Sequence, residues 1–414
     1  MDWAGGQTWN LTVPAEPLIA LCGLGVIWAV LRGGKLKFAG LAWISFAWIA
    51  WQTVTTVFST IPAVSWKYWL VETGQWGVFF IGLYRWPDWW PGLIRVFSIS
   101  LAGVAVYALI HHGVYYQFRA DQANLAPMPF FADHTMYGVV VVMVVLAPPP
   151  SPPPMGRGAW SRFIFSVLNW DRSVTCEQAP LPMGGGDRGG ASRALPIVFL
   201  LSLCLIFSRA AWLSLLLAVF IGAALYFRKY WPWFLFAVLL AVSVSFIFRE
   251  KISARLSADV SSLERWNRYS CALRMAKDRP WTGFGPGTFQ FQYLLYQKPD
   301  EMTRLSITDP ISRRHSGNYG RGGGAHSEYL QALSETGWPG LICWLLLAGS
   351  CLIAGIRLFG REKKLVWLAL TLSLFSFFLH GLVNNFLHDA RVAALVWGQM
   401  AVLFAAAGRS PEAV

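Results

Sequence analysis

The chain has 414 residues, of which 55% are hydrophobic and only 13% charged, and it carries a formal net charge of +13. With a mean hydropathy of +0.45 it is too apolar for a soluble domain and long enough for many membrane spans.

A span takes about 20 mostly apolar residues. In chain order, eleven segments qualify: 16–31, 38–58, 66–84, 91–110, 135–147, 194–208, 209–227, 231–248, 338–356, 365–383 and 390–408. Several are short, so the pattern predicts 10 to 12. Inside hydrocarbon each backbone polar group needs a partner in its own segment, so these are expected to be helices. The predicted fold is an all-α integral membrane protein with one large extracytoplasmic loop containing short helices. The first 15 residues hold no basic residue ahead of the first apolar run, so a retained span rather than a cleavable signal peptide is expected.

Orientation follows from Lys and Arg in the short loops. With the amino terminus outside, 17 basic residues fall on the inner face and four (Lys67, Arg119, Arg209, Arg391) on the outer. The other 13 lie in one long outward segment, 249–337, to which the rule does not apply. The positive charge then anchors the protein in its membrane and implies no nucleic-acid patch. Three regions are predicted: an N-terminal transmembrane bundle (1–248), the outward loop (249–337) and C-terminal transmembrane helices (338–414). The inner loop at about 148–193 opens "PPPSPPPMGRG" and later reads "MGGGDRGG". Such composition builds no core, and a flexible cytoplasmic linker is expected, interrupted by the apolar "RFIFSVLNW". Of six cysteines, Cys22, Cys204, Cys343 and Cys351 fall in spans, while Cys176 and Cys271 stand apart, so no disulfide framework is implied.

The outward segment is the informative one. In "SSLERWNRYSCALRMAKDRP", Ser261 and Glu264 form a capping-box pattern and Pro280 is a stop, predicting a helix at about 262–278. Leu263, Trp266, Leu273 and Ala276 give it an apolar side to rest on the membrane or the bundle. Arg265 and Arg268 share a face, while Arg274, nine residues from Arg265, points the other way. The glycines of "WTGFGPGTFQFQY" follow no strand and read as a tight turn rather than a nucleotide loop. Further on, "RGGGAHSEYLQALSETGWPG" predicts a short helix at about 325–336, its start freed by Gly322, Gly323 and Gly324, its end marked by Gly337, with His326 in its first turn.

Other polar groups gather on the same outer side. "FSRAAW" puts Arg209 at the junction of two apolar runs, where a charge must face protein, water or headgroups. "FFADHTMYG" supplies Asp133, His134 and Thr135, and "HGLVNNFLHDAR" supplies His380, Asn384, Asn385, His388, Asp389 and Arg391. Five separated segments thus converge on one rim.

In the stretches "FFADHTMYG", "FSRAAWLSL", "ERWNRYSCALRMAKDRPWTGFGPGTFQFQY", "AHSEYLQALSETGWPG" and "HGLVNNFLHDA", the chain resembles the O-antigen ligase and polymerase family of bacterial membrane glycosyltransferases. The resemblance runs from about 130 to 400 in family order. It implies a multi-pass protein of the bacterial inner membrane, with its site at the outer membrane-water boundary. The implied donor is an undecaprenyl-diphosphate-linked glycan and the acceptor a glycolipid, glycan or protein; membrane lipids are the other partners. Carried over by motif, donor-diphosphate binding falls on Arg209 and Arg265, with Arg268 beside them, and acceptor activation on His326. Asp133, His134, Glu328, His380 and Asn385 are candidate supporting residues. Two positions depart from the family pattern: Ala210 stands where glycine is usual, and Tyr269 where tryptophan is common. Eleven spans, against the twelve typical of ligases, leave the acceptor type open.

The chemistry is consistent with the residues themselves. A sugar on a lipid diphosphate already carries a good leaving group, so the protein must hold the diphosphate, stabilise its developing charge and align a hydroxyl. Arginine's planar fork suits phosphate oxygens. Without an Asp-x-Asp pattern or a His/Cys cluster at metal spacing, transfer is expected to need no metal and no cofactor, with inversion implied by the resemblance. Ligation, polymerisation and protein O-glycosylation are the enzymatic readings. A lipid-linked glycan transporter or flippase is the contrasting class, which favours paired intramembrane charges and internal repeats.

Overall fold

The computed structural model describes residues 15–32, 38, 40–131, 134–146, 188–205, 207–247, 259–306 and 323–409. Every regular element among them is helical. The longer helices are α1 (Ala15–Arg32), α2 (Trp43–Val57), α3 (Pro62–Gln75), α4 (Trp90–Tyr116), α5 (His134–Leu146), α6 (Arg188–Leu205), α7 (Arg209–Tyr226), α8 (Trp231–Ile247), α9 (Val260–Asp278), α10 (Glu328–Glu362), α11 (Leu365–His380) and α12 (Ala390–Arg409). A π-helical turn, Trp76–Ile81, prolongs α3 into a last turn, Gly82–Arg85. The linker expected at 148–193, with Cys176, lies outside the described residues except for the start of α6.

Each of the eleven apolar segments overlaps a helix, and among the described residues four helical stretches are long and apolar enough to cross a membrane: Pro87–Tyr116, Arg209–Tyr226, Glu328–Glu362 and Ala390–Arg409. Pro17–Arg32, His134–Leu146 and Leu365–His380 are apolar but shorter.

α10 packs against α2, α9, α11 and α12, and α11 packs on against α5 and α7. Burial follows composition. α5, valine-rich and apolar all round, is buried from Met136 to Leu146, as a helix without a polar side must be. α1, α4 and α8 instead expose large apolar side chains, among them Leu24, Leu31, Ile99, Ile110, Phe236 and Leu239. Exposed apolar surface on that scale needs lipid to cover it.

One joint of the fold positions the site. Gly337, at φ +71°, ψ −174°, is non-helical and ends the segment that begins at Glu328, as expected. A second helical segment follows it directly and runs as a span to Glu362, so the two halves of α10 meet at a kink. Pro339 has no N–H, and Trp338 N–H donates to Pro280 O at 2.8 Å, so the carbonyls of Ser334 and Glu335 lose their helical donors. The turn at 283–287 replaces them: Phe284 N–H donates to Ser334 O (3.1 Å) and Gly285 N–H to Glu335 O (2.9 Å). Gly283, Gly285 and Gly287 all have positive φ, so the tight turn is present, and its role is to stitch the break in α10. A Cβ on Gly337 would run into the backbone of Pro280 and Trp281.

Candidate functional site

α9 starts at Val260, and its cap is Asp259, whose carboxylate accepts from Ser261 N–H at 3.2 Å. The expected Ser261/Glu264 capping box is absent because Glu264 is buried in an ion pair with Arg268 (Nε to Oε1, 3.1 Å) and accepts from Thr303 (2.8 Å) and Ser306 (2.5 Å). Of the expected apolar side, Leu263, Trp266 and Leu273 are exposed and do not pack on the bundle, while Glu264, Asn267, Arg268, Cys271, Ala272, Met275 and Ala276 form the buried face. A helix whose inner face is this polar is placed by hydrogen bonds, which demand one register.

Arg268 is therefore built in. Its side chain is 5% exposed, its Nη1 donates to Gly324 O at 3.0 Å, and its guanidinium lies 5.1 Å from the Tyr293 ring centre. It holds the loop that leads into His326. Tyr269, one residue on, places its hydroxyl 3.2 Å from His326 O and 3.1 Å from Leu382 O, joining α9 to both loops at this end.

His326 itself is not in a helix turn. α10 begins at Glu328 with Ser327 as cap, its hydroxyl accepting from Leu330 N–H, and His326 precedes the cap at φ +53°. A non-glycine residue held there is strained and persists only where neighbours fix it. Gly323 and Gly324 serve close approach: a Cβ would strike Gln290 at the first and Asn385 at the second. Burial, then the charges of Arg268 and Arg265, push the imidazole pKa down to about 3. At neutral pH His326 is uncharged and has a lone pair to accept a proton.

Arg265 faces this histidine closely enough for its charge to be felt there and at Tyr269. Its Nε is buried without a hydrogen-bond partner among the described residues. Arg274, as expected, points away, pairing with Glu301 at 2.6 Å and with Tyr296 O at 2.8 Å; that pairing holds Glu301 below the usual carboxylate range. Arg209 begins α7, 75% exposed, and reaches the Asp259 carboxylate at 2.8 Å. That contact keeps Asp259 below its ordinary pKa. It ties Arg209 to the cap of α9, six residues and about 9 Å along the axis from Arg265. An exposed ion pair is worth only about 0 to 1 kcal/mol, so a competing phosphate can take the guanidinium.

Arg265, Arg268 and His326 are thus brought together, and Arg209 is tethered nearby. Glu328 accepts the N–H groups of Phe386 (2.5 Å) and Leu387 (2.8 Å), docking the last loop on the start of α10. Asn385 lies against Gly324 and reaches Gln331 at 3.5 Å. His380 is buried at the end of α11, its ring 6.0 Å from Phe386. Asp133 lies outside the described residues. His134 starts α5, a stretch linked to Arg391, which meets Phe130 O, Met136 Sδ and the Phe131 ring.

A second polar feature escaped the sequence reading. A cavity of about 30 Å³ lies beside the 328–336 segment, with Glu72, Glu328, Glu335, Gln52, Tyr68 and His388 on its wall. The signal was there: "WQTVTT" and "WLVETGQW" are polar interruptions in apolar runs, where an ionisable or amide side chain marks a site by default.

Residues 194–345 match the family model described as O-antigen ligase. The matched stretch holds Arg209, α9 and His326, so the resemblance to the O-antigen ligase and polymerase family holds for the part of the chain that carries the site. No curated protein matches the chain. The apolar helices and this match together mark a multi-pass membrane protein that is similar, over residues 194–345, to O-antigen ligases.

Proposed function

We propose that the protein transfers a glycan from a polyprenyl diphosphate to an acceptor hydroxyl at the outer face of a bacterial inner membrane. The 249–337 segment faces outward between an N-terminal bundle and C-terminal spans, about eleven in all. The observation that carries this reading is an uncharged His326 held beside Arg265, whose buried Nε has no partner among the described residues. A neutral base next to an unsatisfied cation suits a hydroxyl next to a diphosphate.

In this reaction the acceptor oxygen attacks the anomeric carbon on the face opposite the diphosphate, so configuration inverts. The carbon–oxygen bond to phosphate breaks with its electron pair leaving on the diphosphate, and the hydroxyl proton passes to His326. Arg265 and the released Arg209 hold the diphosphate, while Arg268 acts as a positioning residue through Gly324 O. The same arginines that depress the imidazole pKa would be neutralised by the donor, so His326 becomes a stronger base only once the donor is bound.

The test is reconstitution of purified protein in liposomes with a labelled undecaprenyl-diphosphate glycan. A glycolipid core, a free glycan chain and a serine-bearing protein serve as separate acceptors. Transfer to one of them names the class as ligase, polymerase or protein glycosyltransferase. Passage of label across the bilayer without any new glycosidic bond would overturn the enzymatic reading in favour of transport.

A further inference from the structure

The cavity beside the 328–336 segment brings together three carboxylates: Glu72 from α3, with Glu328 and Glu335 from α10. Tyr68 of α3 and His388 of the last loop are the other titratable groups facing it, Gln52 reaches it from α2, and no lysine or arginine is on its wall among the described residues. Three like charges around so small a space, with no counter-ion, cannot all be carried at once.

Hydrogen bonds separate the three. Glu328 accepts two backbone N–H groups, from Phe386 and Leu387. Glu335 accepts Phe289 N–H at 2.9 Å and the Gln331 amide at 2.6 Å. In both, burial raises the pKa and these donors oppose that rise, so each has its oxygens satisfied as an acceptor. Glu72 has the Gln52 amide as its donor, and its Oε2 is buried with no partner among the described residues. The amide oxygen of Gln52, a residue only 3% exposed, is likewise buried without a donor among them. Two buried acceptors on two residues already in contact each lack a hydrogen, and leaving such groups unsatisfied is unfavourable.

We infer that the Glu72–Gln52 pair is a proton-binding site, with Glu72 held as a neutral carboxylic acid whose O–H donates to Gln52 Oε1, directly or through one water in the cavity. One proton satisfies both orphaned oxygens and removes one of the three charges. The space of about 30 Å³ holds a water or two, since each needs roughly 10 to 15 Å³. A metal ion is a poorer occupant, because no three His, Cys, Asp or Glu groups among the described residues are placed to hold one together. The protonated pair joins α2 to α3 against the α10 segment that begins two residues after His326. Losing the proton leaves a third carboxylate facing Glu328 and Glu335 and pushes α3 away from α10. This site is therefore an alkaline-sensitive latch on the joint that carries His326.

The test uses full-length protein in nanodiscs and needs no turnover, so its outcome is independent of the proposed transfer activity. Infrared spectra at neutral pH are expected to show the C=O stretch of a protonated carboxylic acid. Glu72→Gln should abolish that band, and Gln52→Ala should shift it to the frequency of a more weakly bonded carbonyl. Thermal unfolding followed against pH is the second measurement. A carboxyl that keeps its proton in the fold stabilises it below the unfolded-state pKa and loses that stabilisation as pH rises through the folded-state value. The melting temperature of the unaltered protein should fall on the alkaline side, and that fall should be lost in Glu72→Gln, which keeps the shape of the neutral acid. No acid band in the unaltered protein, a band that survives in Glu72→Gln, or an alkaline fall identical in both proteins would each overturn the inference.

Discussion

Two polar regions share the 328–336 segment of α10 and carry opposite charge. At its start, Arg265 and Arg268 surround an uncharged histidine; along its side, Glu72, Glu328 and Glu335 surround a small cavity. In the first region Arg268 is engaged by Glu264 and Gly324, while the buried Nε of Arg265 has no hydrogen-bond partner among the described residues. In the second, Glu328 and Glu335 already hold backbone donors from other loops. Charge is thus sorted around one short helix: Glu328 and Glu335 fix the joint through backbone donors, and in the proposed function Arg265 is left for the ligand.

The sharpest way to break this division is His326→Ala. General-base assistance is worth about 10² to 10⁴ in rate, so turnover should fall by that factor while binding of the lipid-diphosphate donor stays close to normal. Single-turnover transfer and a separate donor-binding measurement distinguish the two; normal turnover would remove the catalytic role. The same residue supplies a pH signature. Activity needs the neutral imidazole and is lost as pH falls through its pKa, which burial first and the arginines second hold near 3; the donor's negative charge offsets the part due to the arginines. The acid limb of kcat should therefore lie at higher pH than that of kcat/KM. Coincident limbs would mean that the donor does not sit between these groups.

Next in size is Glu264→Ala, which leaves the Arg268 guanidinium buried without its partner and should destabilise the fold by about 3 to 5 kcal/mol. Thermal unfolding in nanodiscs measures it, and a near-normal melting temperature would show that Arg268 is freer than its burial implies. Arg265→Lys should cost roughly 10-fold to 100-fold in transfer, because a point charge replaces a fork that bonds two oxygens. Arg274→Lys, engaged with Glu301 away from the site, should leave transfer within a few-fold of normal. Equal losses in the two well-expressed variants would erase the distinction between the faces of α9. The smallest effect is expected of Asp259→Ala. Loss of the cap should cost about 0.5 to 2 kcal/mol of stability, and freeing Arg209 should leave donor affinity unchanged or slightly tighter. Weaker donor binding would make Asp259 part of the site rather than a resting partner of Arg209.

Composition and periodicity were enough to assign an apolar, helical, multi-pass chain, because a backbone without water must bond within its own segment. The motifs around Arg209, Arg265 and His326 could be picked out as candidates, since the residue types that grip phosphate and accept a proton are few; they lie in the stretch that the family model matches, and their roles belong to the proposed function. Local pattern failed where distant groups set the outcome. Ser261 and Glu264 have capping-box spacing, yet Arg268, Thr303 and Ser306 claim the glutamate and Asp259 takes the cap. Leu263, Trp266 and Leu273 have the spacing of a contact face, but the side that packs on the protein is the one set by hydrogen bonds of Glu264, Asn267 and Arg268. Gly337 ends its helix as the residue type suggests, but the second helix can follow without a loop only because the N–H groups of Phe284 and Gly285 satisfy the freed carbonyls. The meeting of Gln52, Glu72 and Glu335 belongs to tertiary structure alone, because pairing across hundreds of residues leaves no periodic trace in the chain. What the sequence determined by itself is therefore the kind of surface each segment offers; which surfaces meet, and so which charges are spent and which are kept, was decided by packing.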